Sequence, residues 1–175
     1  MTRRMQVDLS EPRDMVLVRE FDAPRPLVWK CWSEPEHLAA WWGPDGMSNE
    51  VELDVRPGGV QVITMIAADG TRYPIRSVFL EVEVGRKLVG TLTVEDHPME
   101  FHELFAAYAG GDSDGKMRLV MSVLFEDTEG GGTRVTVRQS FPAQSERDAN
   151  MKMGAEQGWR ESFVKLDRHL ENLSA

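Results

Sequence analysis

The sequence predicts an α+β domain in which one curved antiparallel sheet carries a long C-terminal helix, with two short helices after the first strand. Three observations carry that prediction. Between residues 51 and 141 apolar residues recur in short β-type runs, joined by connections too short for helical crossovers. From residue 145 onward the apolar period changes to three and four, the spacing of one helix face. Between the first β-rich run and the alternating region, prolines and tryptophans divide the chain into two short helical pieces.

Each element has a local reason. Residues 1–14 are polar and read as a flexible arm, with a single domain following over 15–173. Met15 to Phe21 is rich in β-formers and predicts strand one. Pro24 and Pro26 end it and suit the start of a helix over Leu27 to Trp32. Ser33 is the expected N-cap of a second helix, His37 to Trp41, which Gly43-Pro44-Asp45-Gly46 terminates. Val51, Leu53 and Val55 alternate with Glu50, Glu52 and Asp54 in a half-buried strand. Pro57-Gly58-Gly59 turns it into Val60 to Ile66, and Asp69-Gly70 is a hairpin signal before Tyr73 to Val82. Gly85-Arg86 leads into Leu88 to Val94. Arg118 to Phe125 and Arg134 to Phe141 form a last hairpin, giving seven strands. Ser145 with Asp148 fits a capping box. Met151, Ala155, Trp159, Phe163, Leu166, Leu170 and Leu173 then share one face of a helix from Glu146 to Asn172, about 40 Å long at 1.5 Å per residue.

Composition excludes several classes. The chain has 175 residues, 41% of them hydrophobic, so it buries a core of its own without staples. Asp and Glu number 29 against 20 Lys and Arg, a net charge of −9 that repels phosphate backbones, so no nucleic-acid partner is expected. Leu119 to Phe125, the longest apolar stretch, is far below the ~20 residues that span a bilayer, and no secretory signal opens the chain. A cytoplasmic protein without a membrane partner is expected. Cys31, inside Trp29-Lys30-Cys31-Trp32, reads as a core residue.

Several motifs fail on inspection. Gly110 to Lys116 has phosphate-loop spacing, but Met117 replaces the magnesium-binding hydroxyl and a strand follows where a helix is required. Asp112 to Gly115 imitates a calcium loop, with Gly110 and Met121 where ligands belong. In the irregular segment Glu95 to Gly115, His97, Glu100, His102 and Glu103 lack metal-ligand spacing. If Pro98 to Tyr108 is helical, Phe101, Leu104 and Phe105 face inward. His37 and His169 read as surface residues without partners. No catalytic residue, metal or cofactor is expected.

The aromatic, methionine and glycine content points to a cavity. Trp41 and Trp42 flank a Gly-Pro break, and ten methionines suit an irregular apolar shape. Gly154 and Gly158 each cost ~1 kcal/mol in a helix interior, which asks either for open space beside the helix or for a close backbone approach. The expected lining or mouth is Trp41, Trp42, Met65, Phe79, His102, Phe105, Met121, Gly154 and Gly158. Trp159 is expected to be core and Trp42 only partly enclosed.

Phe21-Asp22-Ala23-Pro24, Leu27-Val28-Trp29, Pro35-Glu36-His37-Leu38, Trp41-Trp42-Gly43-Pro44, Asp54-Val55-Arg56-Pro57-Gly58-Gly59, Asp69-Gly70 and Gly158-Trp159 occur in the order of one family. From about Met15 to Leu173 the chain resembles the bacterial activator-of-heat-shock-protein-90-ATPase-like proteins, within the START-like (SRPBCC) superfamily. That resemblance implies a helix-grip fold, a seven-stranded sheet wrapped around the C-terminal helix with an apolar cavity between them. It implies a small hydrophobic molecule, a lipid among other classes, as the partner, and it is consistent with a homodimer. Two other functions are open at this level: an enzyme, cyclase- or hydrolase-like, with His97, His102 or Glu103 as acid or base, and a cochaperone that contacts an ATPase.

Overall fold

The structure is a computed structural model that describes residues 4–111 and 113–175. Residues 1–3 of the expected arm and Asp112 in the loop with phosphate-loop spacing lie outside the described residues. The elements in chain order are β1 (Gln6–Asp8), β2 (Asp14–Phe21), α1 (Arg25–Ser33), α2 (Pro35–Trp41), β3 (Ser48–Leu53), β4 (Val60–Ile66), β5 (Arg72–Glu83), β6 (Lys87–Thr93), α3 (Met99–Ala109), β7 (Arg118–Asp127), β8 (Thr133–Ser140), α4 (Gln144–Lys152) and α5 (Ala155–Ser174). The strands form one antiparallel sheet in the order β1-β2-β8-β7-β6-β5-β4-β3. It is a meander from β3 to β8 whose far side is closed by β2, paired Asp14↔Ser140 to Phe21↔Thr133.

Period-two alternation gives the sheet one buried face. Met15, Leu17 and Phe21 of β2, Ile63 of β4, Ile75 and Phe79 of β5, Val123 and Phe125 of β7, and Val135 and Val137 of β8 are all buried. A register shift between Phe79 and Glu81 on β5 marks a bulge, a device that bends a strand and increases twist. Across this face lies α5, whose Trp159, Phe163, Leu166 and Leu170 are buried. The helix is fixed to β2 by an ion pair in which Arg19 Nη1 donates to Asp167 Oδ1 at 2.9 Å and Nη2 to the other oxygen. The guanidinium also lies 4.5 Å over the Phe21 ring.

Four expectations need correction. There are eight strands among the described residues, because Gln6–Asp8 pairs with Val16 to Val18, so the stretch 1–14 is not simply an arm. The long helix is two helices: Gly154, at φ +90°, takes a left-handed conformation that glycine adopts without strain, and it stands as the N-cap of α5. The apolar period runs through this break, which is why sequence spacing conceals it. The β6–β7 connection holds an eleven-residue helix, α3, on which His102 and Phe105 are buried while Leu104 is exposed. Neither expected hydroxyl cap forms. Ser33 closes α1 and Glu34 precedes α2, where Pro35 supplies the preset φ of a first helical residue. Ala143, with no side-chain cap, precedes α4.

Arg147 accounts for the order of the N-terminal segment. Buried on α4, its Nη1 donates to the carbonyls of Leu9 (3.3 Å), Glu11 (3.1 Å) and Asp14 (2.8 Å), and its Nε to Asp148 Oδ1 at 2.8 Å. Replacing Arg147 by Met leaves three carbonyls without their charged donor, at a cost of about 2–3 kcal/mol. Denaturant melts should show that loss, and amide exchange should quicken selectively in residues 6–14.

Candidate ligand cavity

Four tryptophans build the closed end of the site. Trp32 of α1 stacks on Trp159 of α5 at 6.3 Å and 19°, and Trp42 meets Trp159 edge-on at 5.4 Å and 74°. Trp41, fully buried, donates from Nε1 to the Cys31 carbonyl at 2.9 Å. The loop after α2 is stitched to α5: Ser162 Oγ donates to the Gly43 carbonyl at 3.1 Å, and Lys165 Nζ to the carbonyls of Trp42 and Pro44 at 3.3 Å each. Gly43 has φ +84°, and a Cβ there would lie 2.8 Å from Met65 Sδ. A side chain at this position would be strained by the backbone conformation and would require Met65 to shift.

Beyond this wall the helix stands off the sheet and leaves a cavity of about 410 Å³. Its helical side is Asn150, Met153, Gly154, Ala155, Gly158 and Trp159; its sheet side is Met65, Tyr73, Ile75, Leu92, Val94 and Gln139. The β6–β7 connection contributes His97, Phe101 and Met117, and the loop after α2 contributes Trp42, Gly43, Pro44 and Met47. Four of the ten methionines lie here, and no charged side chain among the described residues lines the cavity. A Cβ on Gly154 or Gly158 would meet nothing within 4 Å. Open space, not close backbone approach, is what these glycines face.

A profile of the family described as Activator of Hsp90 ATPase homolog 1-like protein matches residues 22–171. The chain belongs to this family. A crystal structure of a Nitrosomonas europaea protein is 26% identical, covers 94% of this chain and 98% of that one, and superposes with a TM-score of 0.75. A solution structure from Arthrobacter aurescens, also 26% identical, covers 95% and 91% with a TM-score of 0.77. A Rhodobacter sphaeroides protein only 17% identical shares the fold at a TM-score of 0.80, covering 97% and 99%. No curated protein matches the chain significantly. The START-like helix-grip fold implied by the motifs is therefore the fold of this family member.

Within that fold, the nine residues expected at the site divide. Trp42, Met65, Gly154 and Gly158 border the cavity. Phe79 and Met121 face the same side of the sheet but border a separate void of about 20 Å³ beneath Trp32 and Trp42. Trp41 and Phe105 are fully enclosed in the core. His102 is a brace: its Nδ1 lies 3.0 Å from the Gly115 carbonyl and its Nε2 3.1 Å from the Glu95 carbonyl, so the ring sits between the two ends of Glu95–Gly115 and, when neutral, donates its one N–H to one of them. With His102 so held and Glu103 exposed on α3, the suggested acid–base set is not gathered around the cavity. The expected contrast between Trp159 and Trp42 is absent, since they are 9% and 7% exposed and both line the cavity.

Sequence reasoning placed His97 only among metal or acid–base candidates, yet it is the insert's polar contribution to the lining. Both its ring nitrogens are buried with no hydrogen-bond partner among the described residues, and the ring meets Tyr73 and Phe101 edge-on at 5.5 and 4.5 Å. Burial pushes its pKa down to about 4, with His102 adding to the effect; the Pro74 carbonyl and Asp96 oppose it weakly, the former short of a hydrogen bond. The imidazole is thus neutral at pH 7. Burial likewise lowers the pKa of Lys165.

His37 and His169 do have partners. His37 Nδ1 lies 2.9 Å from His169 Nε2, joining α2 to α5, and His37 Nε2 lies 3.4 Å from Glu34 Oε2. Burial and the neighbouring His37 both lower the pKa of His169. Glu34, Glu36 and His37 are the one group among the described residues with three or more donors close enough for a metal, and Glu36 is exposed.

Two measurements check this geometry. Gly158→Ala gains helix propensity and projects its methyl into open space, so it should raise stability by about 1 kcal/mol in denaturant melts. The second concerns pH. A histidine whose folded pKa is depressed contributes its full share of stability above its unfolded value near 6.5 and loses it as pH falls toward the folded value near 4. The stability difference between pH 7 and pH 4.5 should therefore shrink by about 2–3 kcal/mol in His97→Phe relative to the parent.

Proposed function

We propose that the protein binds a small, largely apolar molecule in the cavity between the sheet and the α4–α5 break, and that it does so in the cytoplasm. The observation that carries this reading is the pairing of a cavity of about 410 Å³ with two helix-flanking glycines that face open space. A volume of this size falls within the ~300–1,000 Å³ of small-molecule sites. Glycine at position 158, inside α5, lowers helix stability, and since a Cβ there would meet nothing within 4 Å, close backbone approach does not account for it. The apolar, methionine-rich lining supports an adaptable site. Among the described residues, no helix is long and apolar enough to cross a membrane.

The test is a titration with N-phenyl-1-naphthylamine, an uncharged apolar fluorophore. It should bind saturably at one site per chain. Gly158→Leu, which fills the cavity from α5, should weaken it at least tenfold, whereas Gly130→Leu at the β7–β8 hairpin tip should leave it unchanged. Unaltered affinity in a folded Gly158→Leu variant would place any binding elsewhere.

A further inference from the structure

We propose that the molecule taken by this cavity is uncharged and carries a hydroxyl or similar donor–acceptor group, which it presents to His97. The inference rests on the ligand-binding reading above and goes on to name the ligand's chemistry.

The lining has two properties that together select such a molecule. It contains no charged side chain among the described residues, so a carboxylate, phosphate or ammonium inside it would lose its hydration without gaining a counter-charge. It does contain polar atoms that the protein leaves unused: both ring nitrogens of His97 and Nδ2 of Asn150 are buried without hydrogen-bond partners among the described residues. Such groups are rare in folded proteins and call for a partner. Of the other polar side chains, Gln139 Nε2 is engaged with Met121 Sδ at 3.6 Å and Ser162 Oγ with the Gly43 and Gly158 carbonyls. His97, in the β6–β7 connection, and Asn150, on α4, are both cavity residues.

A neutral imidazole offers one N–H donor and one bare nitrogen acceptor, and the Asn150 amide offers donors. A hydroxyl suits the pair because it can donate to the bare nitrogen while accepting elsewhere; an ether can only accept. Edge-to-face contact with Phe101 and Tyr73 is a weak substitute partner at best. Both His97 nitrogens and Asn150 Nδ2 are covered. Binding as proposed includes a rotation about the soft bond to the His97 ring that turns one of its nitrogens toward the ligand. The depressed pKa of His97 agrees with a ring that stays neutral throughout.

The experiment is displacement of N-phenyl-1-naphthylamine at pH 7.4 by three ligands sharing a ten-carbon chain: 1-decanol, its methyl ether and decanoate. In the parent protein 1-decanol should displace the probe at a concentration at least tenfold below either of the others. In His97→Phe its advantage over the ether should fall below threefold, and Asn150→Leu should reduce it by a smaller factor. Decanoate matching 1-decanol in the parent protein would overturn the proposal without any variant. So would an alcohol-to-ether ratio unchanged in folded His97→Phe, the result expected if water alone satisfies the ring. If the probe itself fails to saturate, the ligand-binding reading falls and this inference with it. If the probe saturates and Gly158→Leu weakens it, but decanoate equals decanol, only the inference falls.

Discussion

The structure depends on one constraint: a broad, curved apolar sheet face has to be covered by a helix with a narrow apolar stripe. α5 meets that demand along part of its length. Phe163 packs edge-on against Phe21 at 5.4 Å, Arg19 and Asp167 pin the helix to β2, and Trp159 fills the gap beneath Trp32 and Trp42. Toward its N-terminus the stripe gives way to Gly158 and Gly154, and the chain turns through a left-handed glycine into α4. Helix and sheet part there. The cavity is the volume that the clamped half of the helix cannot cover.

What borders that volume tends to cost stability. Glycine in a helix sacrifices propensity, and buried polar atoms without partners sacrifice hydration. Methionine fills space while fixing it less firmly than a branched side chain would. These costs gather on one wall of the domain, while the opposite half of the core, around Met15, Leu17, Val135 and Val137, is fully buried and apolar. Natural sequences relax the rules of good packing where a site has to remain available. The same asymmetry sets the stabilising effect expected of a methyl at position 158 against its effect on binding.

The insert between β6 and β7 closes the cavity from the side. Its ends are drawn together on His102, and Gly115 has to be glycine twice over: its φ is +78°, and a Cβ would lie 2.4 Å from the His102 carbonyl oxygen. With the ends fixed, α3 presents Phe101 to the cavity and the preceding loop presents His97. Two histidines five residues apart thus have unlike work, one bracing backbone carbonyls and the other lining an apolar space.

Much of the fold was legible in the sequence because it is written in local periods. Alternation placed β2 to β8 close to their observed bounds, and the three-and-four spacing of Trp159, Phe163, Leu166 and Leu170 chose the buried face of α5. Gly158 flagged the cavity, since its cost inside α5 has no local compensation, whereas Gly154 answers to the left-handed turn before the helix. Tertiary structure alone decided the rest. β1 pairs with β2, and the stretch joining them is held by Arg147, more than 130 positions distant, which donates to the carbonyls of Leu9, Glu11 and Asp14. The interruption at Met153–Gly154 is invisible to a period that continues through it. Trp41 and Trp42 are adjacent and alike in sequence, and only packing against α5 encloses one and turns the other toward the cavity. Likewise, His97 and His102 differ in what lies against them: backbone carbonyls for His102, the rings of Tyr73 and Phe101 for His97. Composition and spacing record which groups a chain has. Whether a polar group finds a partner depends on contacts between residues far apart in sequence, so it is settled only when the chain has folded.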